Sequence, residues 1–225
     1  MGEAIELVGA DGFSFGAGRW TPPDARRGGL VLIQEIFGVT AGIAALARSF
    51  ADEGYEVLAP SLFDRLERGL AVPADSAGVA KGRACSEATP WDQVAGDLNA
   101  TIAAVAPPVF AVGYCWGGTA AWLAAARCPG LTAVSSYYGR RIPEIINEPP
   151  LCPIILHFGR GDVTIPPATI EAIAEIYPDL PIHLYPAGHG FASERSVDHD
   201  VDAARLAHLR TLRLFARHGG ERGEF

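Results

Sequence analysis

One six-residue run, Gly-Tyr-Cys-Trp-Gly-Gly at positions 113–118, constrains the fold of this 225-residue chain more than any other. An apolar run at 109–112 precedes it and an Ala-rich stretch at 119–126 follows it, so it joins a predicted strand to a predicted helix. Gly-x-Cys-x-Gly at such a junction is typical of a nucleophile elbow, with a thiol where most elbows carry a hydroxyl. The two glycines leave room for a strained turn. A buried cysteine in a Gly-rich turn is the structural alternative.

Two further side chains follow in the order that this motif requires, an acid first and a base second. Asp162 comes just after a predicted buried strand at 153–158, and His189 follows a predicted strand at 182–185. Both are then expected in loops at the carboxyl edge of a parallel sheet, where open α/β folds bind ligands. A turn aspartate and a solvated loop histidine are the alternatives. Their order after Cys115 favours a catalytic set.

Predicted strands and helices alternate along the chain, and this alternation defines the expected fold. After an N-terminal hairpin with runs at 5–8 and 13–20, it predicts one α/β domain over 1–225, with a mostly parallel central sheet and helices on both faces. The predicted strands are 30–33, 55–59, 109–112, 133–138, 153–158 and 182–185, and the predicted helices are 42–53, 91–105, 119–126, 167–176 and 201–218. Residues 61–90, with at most a short helix at 76–85, are the candidate cap over the site.

Composition narrows the classes of function. Hydrophobic residues make up 49% of the chain and charged residues 20%, which suits one soluble domain with a full-sized core. The net charge of −8, without a block of Lys or Arg, argues against nucleic-acid binding. The four cysteines, at 85, 115, 128 and 152, form no Cys-x-x-Cys or Cys/His cluster, so we expect neither a metal nor another cofactor.

The uncharged run at 101–126 is long enough to imitate a membrane span. Pro107, Pro108 and the glycines of the elbow argue against a span, because a helix, a strand and a second helix explain the same run. A secretory signal pattern is not recognised at the start of the chain. We therefore expect a cytoplasmic protein with free thiols and no membrane partner.

The loop after the predicted strand at 30–33 reads Gln-Glu-Ile-Phe-Gly, at positions 34–38. In elbow hydrolases this loop donates one backbone N–H to the oxyanion hole, and the residue after the nucleophile donates the other. The predicted donors here are Ile36 and Trp116. Glu35 is unusual, because a carboxylate directly after a buried strand is costly unless it has partners. An exposed loop acid is the alternative for Glu35.

These motifs resemble those of the dienelactone hydrolase family in the α/β-hydrolase superfamily. The resemblance rests on the blocks at 34–38, 113–118, 137–139, 159–162 and 188–191, and extends from about residue 12 to residue 217. It implies hydrolysis of a small ester or lactone through a thioester, with Cys115 as nucleophile, His189 as base and Asp162 as the orienter of the histidine. It also implies that Glu35 contacts the cysteine in the resting enzyme and helps to govern its ionisation.

The chain departs from the family's founding members where the charge of the substrate is recognised. Those enzymes bind a carboxylated lactone with two arginines, one in the cap region and one four residues after the histidine. Here the second position is Ser193, with Arg195 two residues further on, and the cap arginine matches Arg83, with Lys81 as the alternative. By resemblance, Arg83, Arg195 and Tyr137 are the expected substrate contacts. Solvated surface charges are the alternative for the three cations.

Two other functions stay open at this stage. The chain could be a non-catalytic ligand-binding or regulatory member of the same fold, because a fold does not determine a function. A redox-sensing thiol would instead need a resolving cysteine near Cys115. The nearest in sequence is Cys128, about three helical turns away. The expected assembly is a monomer or a small homo-oligomer.

Overall fold

A computed structural model describes residues 2–220, which form one α/β domain around a single eight-stranded sheet. The strands are β1 Glu3–Val8, β2 Ser14–Trp20, β3 Gly28–Ile33, β4 Tyr55–Pro60, β5 Val109–Tyr114, β6 Leu131–Tyr137, β7 Ile154–Gly159 and β8 Ile182–Tyr185. Their order across the sheet is β1-β2-β4-β3-β5-β6-β7-β8. The predicted hairpin supplies the antiparallel strands β1 and β2 at one edge, and the other six strands are parallel.

Helices cover both faces of this sheet. They are α1 Ala41–Asp52, α2 Ser76–Ala88, α3 Trp91–Ala103, α4 Trp116–Arg127, α5 Pro167–Ile176 and α6 Val201–Arg217, with a short 3₁₀ helix at Ile142–Glu144. Every residue of β3 and β5 is buried, as expected for central parallel strands with both faces covered. The predicted fold class is confirmed. Because the central strands are parallel, the loops after β3, β5, β6, β7 and β8 all leave the same edge of the sheet.

The uncharged run at 101–126 is part of the core. It contains the end of α3, all of β5 and most of α4, and every residue of α4 before its last two is buried. Among the helices of residues 2–220, none combines the length and the apolarity that crossing a bilayer requires.

The segment 61–90 contains more helix than the sequence predicted. α2 spans 13 residues rather than a short stretch at 76–85, and the Asp75 carboxylate caps it by accepting the Gly78 N–H at 2.8 Å. The glycines at 78 and 82 weaken the helical signal of the sequence. Both are required by packing, because a Cβ at Gly82 would overlap the Ile36 carbonyl. This close approach holds α2 against the loop after β3.

Candidate active site

Cys115 occupies the turn between β5 and α4 in a strained conformation. Its φ of 57° and ψ of −117° lie in a region of backbone conformation that residues other than glycine rarely adopt. The Cys115 N–H donates to the Tyr137 carbonyl at 3.0 Å, and the Cys115 carbonyl accepts the Gly118 N–H at 2.9 Å. The strained turn is therefore fixed on both sides by backbone hydrogen bonds.

Backbone packs directly against backbone around this turn. A Cβ at Gly113 would overlap the Gly117 carbonyl, and one at Gly117 would overlap the Gln34 carbonyl. A Cβ at Gly118 would overlap the Tyr137 carbonyl, and one at Gly139 would lie 2.7 Å from the backbone nitrogen of Thr119. The glycines that defined the motif are therefore needed for close approach between three loops.

Cys115, His189 and Asp162 form one hydrogen-bonded series across the carboxyl edge of the sheet. The Cys115 Sγ lies 3.2 Å from His189 Nε2, and His189 Nδ1 lies 2.6 Å from Asp162 Oδ2. The other oxygen of Asp162 accepts the backbone N–H of Thr164 at 2.8 Å and its hydroxyl at 2.7 Å. Both carboxylate oxygens are thus held, and the Asp162 side chain is fully buried.

The charges in this series stabilise one another. Burial by itself would lower the pKa of His189, but the hydrogen bonds and charges of Asp162 and Cys115 outweigh it and raise the pKa to about 10. For Asp162 burial acts to raise the pKa, and the contacts with His189 and Thr164 lower it below its usual value. His189 is consequently an imidazolium at neutral pH, between the sulfur and an ionised carboxylate.

Glu35 lies in the wall of the cavity that also contains Cys115. Its side chain is almost wholly buried, and within residues 2–220 no donor forms a hydrogen bond to its carboxylate. Burial raises the pKa of Glu35, although the positive charges of His189 and Arg195 act in the opposite direction. The interpretation as an exposed loop acid is wrong for this residue. The structure instead places a buried, weakly partnered carboxyl in the wall of the cavity that contains Cys115.

Two residues that line the cavity have free backbone N–H groups. Ile36 and Trp116 both line the cavity, and neither N–H donates to a backbone carbonyl of the described chain. The Trp116 N–H is free because it belongs to the first turn of α4, where helical partners are lacking. The Trp116 ring stacks on Trp91 at 5.8 Å and packs on Phe63 at 4.8 Å, which fixes the start of the helix.

The cavity around these groups has a volume of about 260 Å³. Arg83 on α2 and Arg195 after β8 both line it, as does Ser193. Lys81 does not line it and pairs with Glu67 at 2.6 Å on the surface. The structure therefore brings Arg83, rather than Lys81, to the site.

Tyr137 lies beneath the turn rather than in this cavity. Its side chain is buried, its hydroxyl is 2.8 Å from the Thr211 hydroxyl, and its carbonyl receives the Cys115 N–H. Tyr137 does line a second cavity of about 410 Å³, which shares Glu35 and Arg195 with the first. The second cavity lies towards α1 and α6.

Sequence analysis missed several residues that the structure brings to the site. Thr164 could have been found, since an aspartate two residues before a threonine commonly accepts hydrogen bonds from it in a turn. Arg140 and Arg141 follow the Tyr-Tyr-Gly block directly, and Ser86 lies on the face of α2 that lines the cavity. No local sequence signal points to these three residues.

Cys128 is remote from the sulfur of Cys115. Cys128 and Cys115 flank α4 at opposite ends, and a rise of 1.5 Å per residue places them about 20 Å apart. A disulfide requires Cα atoms within about 7 Å, so Cys128 is not placed to resolve an oxidised Cys115. In the part of the chain from residue 2 to 220, no group of three His, Cys, Asp or Glu side chains is arranged to hold a metal ion.

A mostly parallel sheet with this strand–turn–helix junction defines a protein of the α/β-hydrolase fold. The model of the dienelactone hydrolase family matches residues 15–219. The chain belongs to the dienelactone hydrolase family, and the resemblance found in its sequence is confirmed. It is accordingly a hydrolase of carboxylic esters.

Individual relatives cover nearly all of the chain. The carboxymethylenebutenolidase of Pseudomonas putida is 32% identical over 232 residues, which span 95% of this chain and 96% of that protein. A carboxymethylenebutenolidase of Pseudomonas sp. strain P51 is 29% identical over 227 residues, with 96% and 95% covered. A provisionally named dienelactone hydrolase of Klebsiella pneumoniae superposes with a TM-score of 0.83 at 26% identity, covering 96% of this chain and 99% of that one.

Proposed function

We propose that the chain is a cysteine-nucleophile hydrolase that cleaves a small ester or lactone through a thioester intermediate. The observation that carries this proposal is the series Cys115–His189–Asp162, with contacts of 3.2 and 2.6 Å, in the wall of a cavity. Membership of the family supports ester hydrolysis, and the names of the relatives support a carboxymethylenebutenolidase-like activity. No cofactor takes part in the proposed reaction.

Acylation begins with the sulfur. The imidazolium of His189 at 3.2 Å stabilises the thiolate of Cys115, which is the nucleophilic form of a cysteine. The thiolate attacks the substrate carbonyl carbon, an S–C bond forms, and the π electrons move to the carbonyl oxygen. The free N–H groups of Ile36 and Trp116 stabilise this oxyanion, and one such donor contributes about 2.7–4 kcal/mol in other enzymes.

The tetrahedral intermediate then collapses and is cleared by water. The C–O bond to the leaving alkoxide breaks as His189 Nε2 gives its proton to that oxygen, which leaves a thioester on Cys115 and a neutral imidazole. The imidazole takes a proton from water and becomes the imidazolium again, while the hydroxide oxygen attacks the thioester carbonyl carbon. The C–S bond then breaks, which releases the carboxylic acid and restores the thiolate of Cys115. Asp162 holds the tautomer of His189 and stabilises its charged form throughout.

Arg83 and Arg195 are proposed to bind a carboxylate of the substrate, because both line the cavity in which Cys115 lies. Residues 61–90 are proposed to cap the site, since Val79, Arg83 and Ser86 of α2 form part of the cavity wall. A cytoplasmic location and a monomeric or small homo-oligomeric state stay predictions of the sequence.

The test compares wild type with Cys115→Ala and Asp162→Asn on a panel of esters and lactones that includes dienelactone. We expect hydrolysis to be abolished in Cys115→Ala and severely reduced in Asp162→Asn, with the far-ultraviolet circular dichroism of both variants unchanged. Hydrolysis that survives in Cys115→Ala would refute the thiol mechanism. A non-catalytic ligand-binding protein has no need for these three residues in this order. An absence of turnover from wild type on the whole panel would nevertheless favour that alternative.

Glu35 is proposed to restrain the ionisation of Cys115. A carboxylate in the same cavity wall opposes a second negative charge on sulfur, so Glu35→Gln should accelerate alkylation of Cys115 by iodoacetamide. Because burial raises the pKa of Glu35, the acceleration should grow as the pH rises and the wild-type carboxyl ionises. An unchanged or slower rate in Glu35→Gln would remove this role.

A further inference from the structure

The cavity around Cys115 is lined by an excess of positive charge. Four arginines line it, Arg83, Arg140, Arg141 and Arg195, whereas Glu35 is the one carboxylate among its lining residues in the described chain. The protein as a whole carries a net charge of −8. The local excess is therefore opposite in sign to the overall charge, which is the arrangement that attracts an anionic ligand to a cleft.

One of these arginines is already engaged within the protein. The Nε and Nη2 groups of Arg141 donate to the two carboxylate oxygens of Glu144, each at 2.7 Å, and its Nη1 donates to the Ser86 carbonyl at 3.0 Å. The guanidinium also lies 4.9 Å from the centre of the Trp91 ring. Arg141 therefore ties the loop after β6 to α2 and has little capacity left for a ligand.

Arg140 differs from its neighbour. Its side chain is exposed, and its guanidinium forms no ion pair or hydrogen bond with another residue of 2–220. Because Arg141 is bonded to Ser86, the adjacent Arg140 is held beside the part of α2 that also carries Arg83. The Ser86 hydroxyl in turn donates to the Arg83 carbonyl at 2.8 Å, within the same helical turn. Arg83 and Arg140 both line the cavity, and the charge of Arg140 also acts on the Glu144 carboxylate.

Arg195 belongs to a different wall. It comes from the loop after β8, and its guanidinium lies 5.8 Å from the centre of the Phe37 ring in the loop after β3. Cys115 and His189 line the cavity together with both walls. A substrate whose carbonyl reaches Cys115 can therefore meet cationic groups contributed by two separate parts of the fold.

We propose that Arg140 determines specificity by binding a second anionic group of the substrate, so that the preferred substrate is an ester or lactone carrying two carboxylates. This inference rests on the proposed function, in which Arg83 and Arg195 bind the first carboxylate. A carboxylate suits Arg140 because the planar guanidinium can donate two parallel hydrogen bonds to its two oxygens.

The test uses three p-nitrophenyl esters of increasing charge, the butyrate, the hydrogen succinate and the dihydrogen tricarballylate, which carry none, one and two free carboxylates. Arg140→Gln should lower kcat/KM for the doubly charged ester about tenfold through KM, as expected for one charge-assisted contact. The singly charged and neutral esters should change less than about twofold. Arg213→Gln is the matched control, because Arg213 is an exposed arginine of α6 that does not line the cavity.

Each other outcome overturns the inference. Equal losses on the two charged esters would mean that Arg140 binds the first carboxylate, unchanged rates would mean a solvated surface charge, and a loss on the neutral ester would mean a structural role. A binding experiment distinguishes failure of the Arg140 inference from failure of the proposed function. Calorimetry measures the binding of glutarate and of butyrate to two proteins, Cys115→Ala and the double variant Cys115→Ala/Arg140→Gln. Glutarate should bind about tenfold more weakly without Arg140, whether or not the enzyme hydrolyses esters, and equal glutarate affinities would refute the inference.

Discussion

Raising the pH from 7 to 9 should destabilise the folded protein through His189. The pKa of this histidine rises on folding from 6.5 to about 10. A group whose pKa is raised on folding stabilises the native state fully below its unfolded pKa, and this stabilisation is lost as the pH rises through the folded value. Asp162 shifts in the other direction, so its contribution is lost only in acid and is constant between pH 7 and 9.

The size of the effect follows from the two pKa values. At 1.36 kcal/mol per pH unit, the imidazolium contributes about 4 kcal/mol to the free energy of unfolding at pH 7 and about 1 kcal/mol at pH 9. The loss between these pH values is therefore about 2–3 kcal/mol. Solvent screens this pair only weakly, because the His189 side chain is only 25% exposed and the Asp162 side chain is fully buried.

Urea unfolding at pH 7, 8 and 9, followed by tryptophan fluorescence, measures this loss. The stability difference between wild type and His189→Gln should shrink by about 2–3 kcal/mol from pH 7 to pH 9. The stability difference between Cys115→Ser and Cys115→Ser/His189→Gln should fall less over the same pH range, because the sulfur supplies part of the stabilisation of the imidazolium. If the stability difference between wild type and His189→Gln stays constant across this pH range, the claim that the folded protein stabilises the imidazolium of His189 is refuted.

Two further predictions concern the turn and the thiols. Gly117→Ala should lower the free energy of unfolding by about 1–3 kcal/mol because its Cβ overlaps the Gln34 carbonyl, whereas Gly96→Ala, with nothing within 4 Å inside α3, should raise it by about 0.5–1 kcal/mol. If urea unfolding shows the same change in stability for Gly117→Ala and Gly96→Ala, close packing at Gly117 is not what requires its glycine. Iodoacetamide should alkylate Cys115 before Cys128 in the native protein, because burial raises the pKa of Cys128 to about 12. Peptide mass spectrometry after brief labelling checks this order, and early labelling of Cys128 would contradict it.

Local sequence signals were sufficient for the order of the elements and for the chain order of Cys115, Asp162 and His189. Each of these residues follows an apolar strand, and parallel strands bring their carboxyl ends to one edge. Nothing more than the periodicity of the strands and the elbow motif was needed to expect them close together. The structure adds the distances, which no local pattern contains.

The contacts that were missed join segments remote in sequence. Arg141 bonds to the Ser86 carbonyl, 55 residues away, and this contact helps to form the wall on which Arg140 lies. The length of α2 was hidden because its glycines weaken a helix locally, although Gly82 is required by contact with the loop after β3. Tyr137 was expected at the substrate because its block resembles the family motif, although its carbonyl and hydroxyl both bond within the protein.

The glycine contacts around Cys115 have a consequence for how substrate preference can change in this fold. The loops after β3, β5 and β6 pack backbone against backbone at three glycines, Gly117, Gly118 and Gly139. A side chain at any of these positions would push two loops apart, so one loop cannot change without the others. α2 and the loop after β8 contribute side chains to the same cavity, and those can be exchanged singly. Libraries that diversify positions such as Arg83 and Arg195 should therefore yield folded variants with new preferences, whereas libraries at the three glycines should mostly yield destabilised protein.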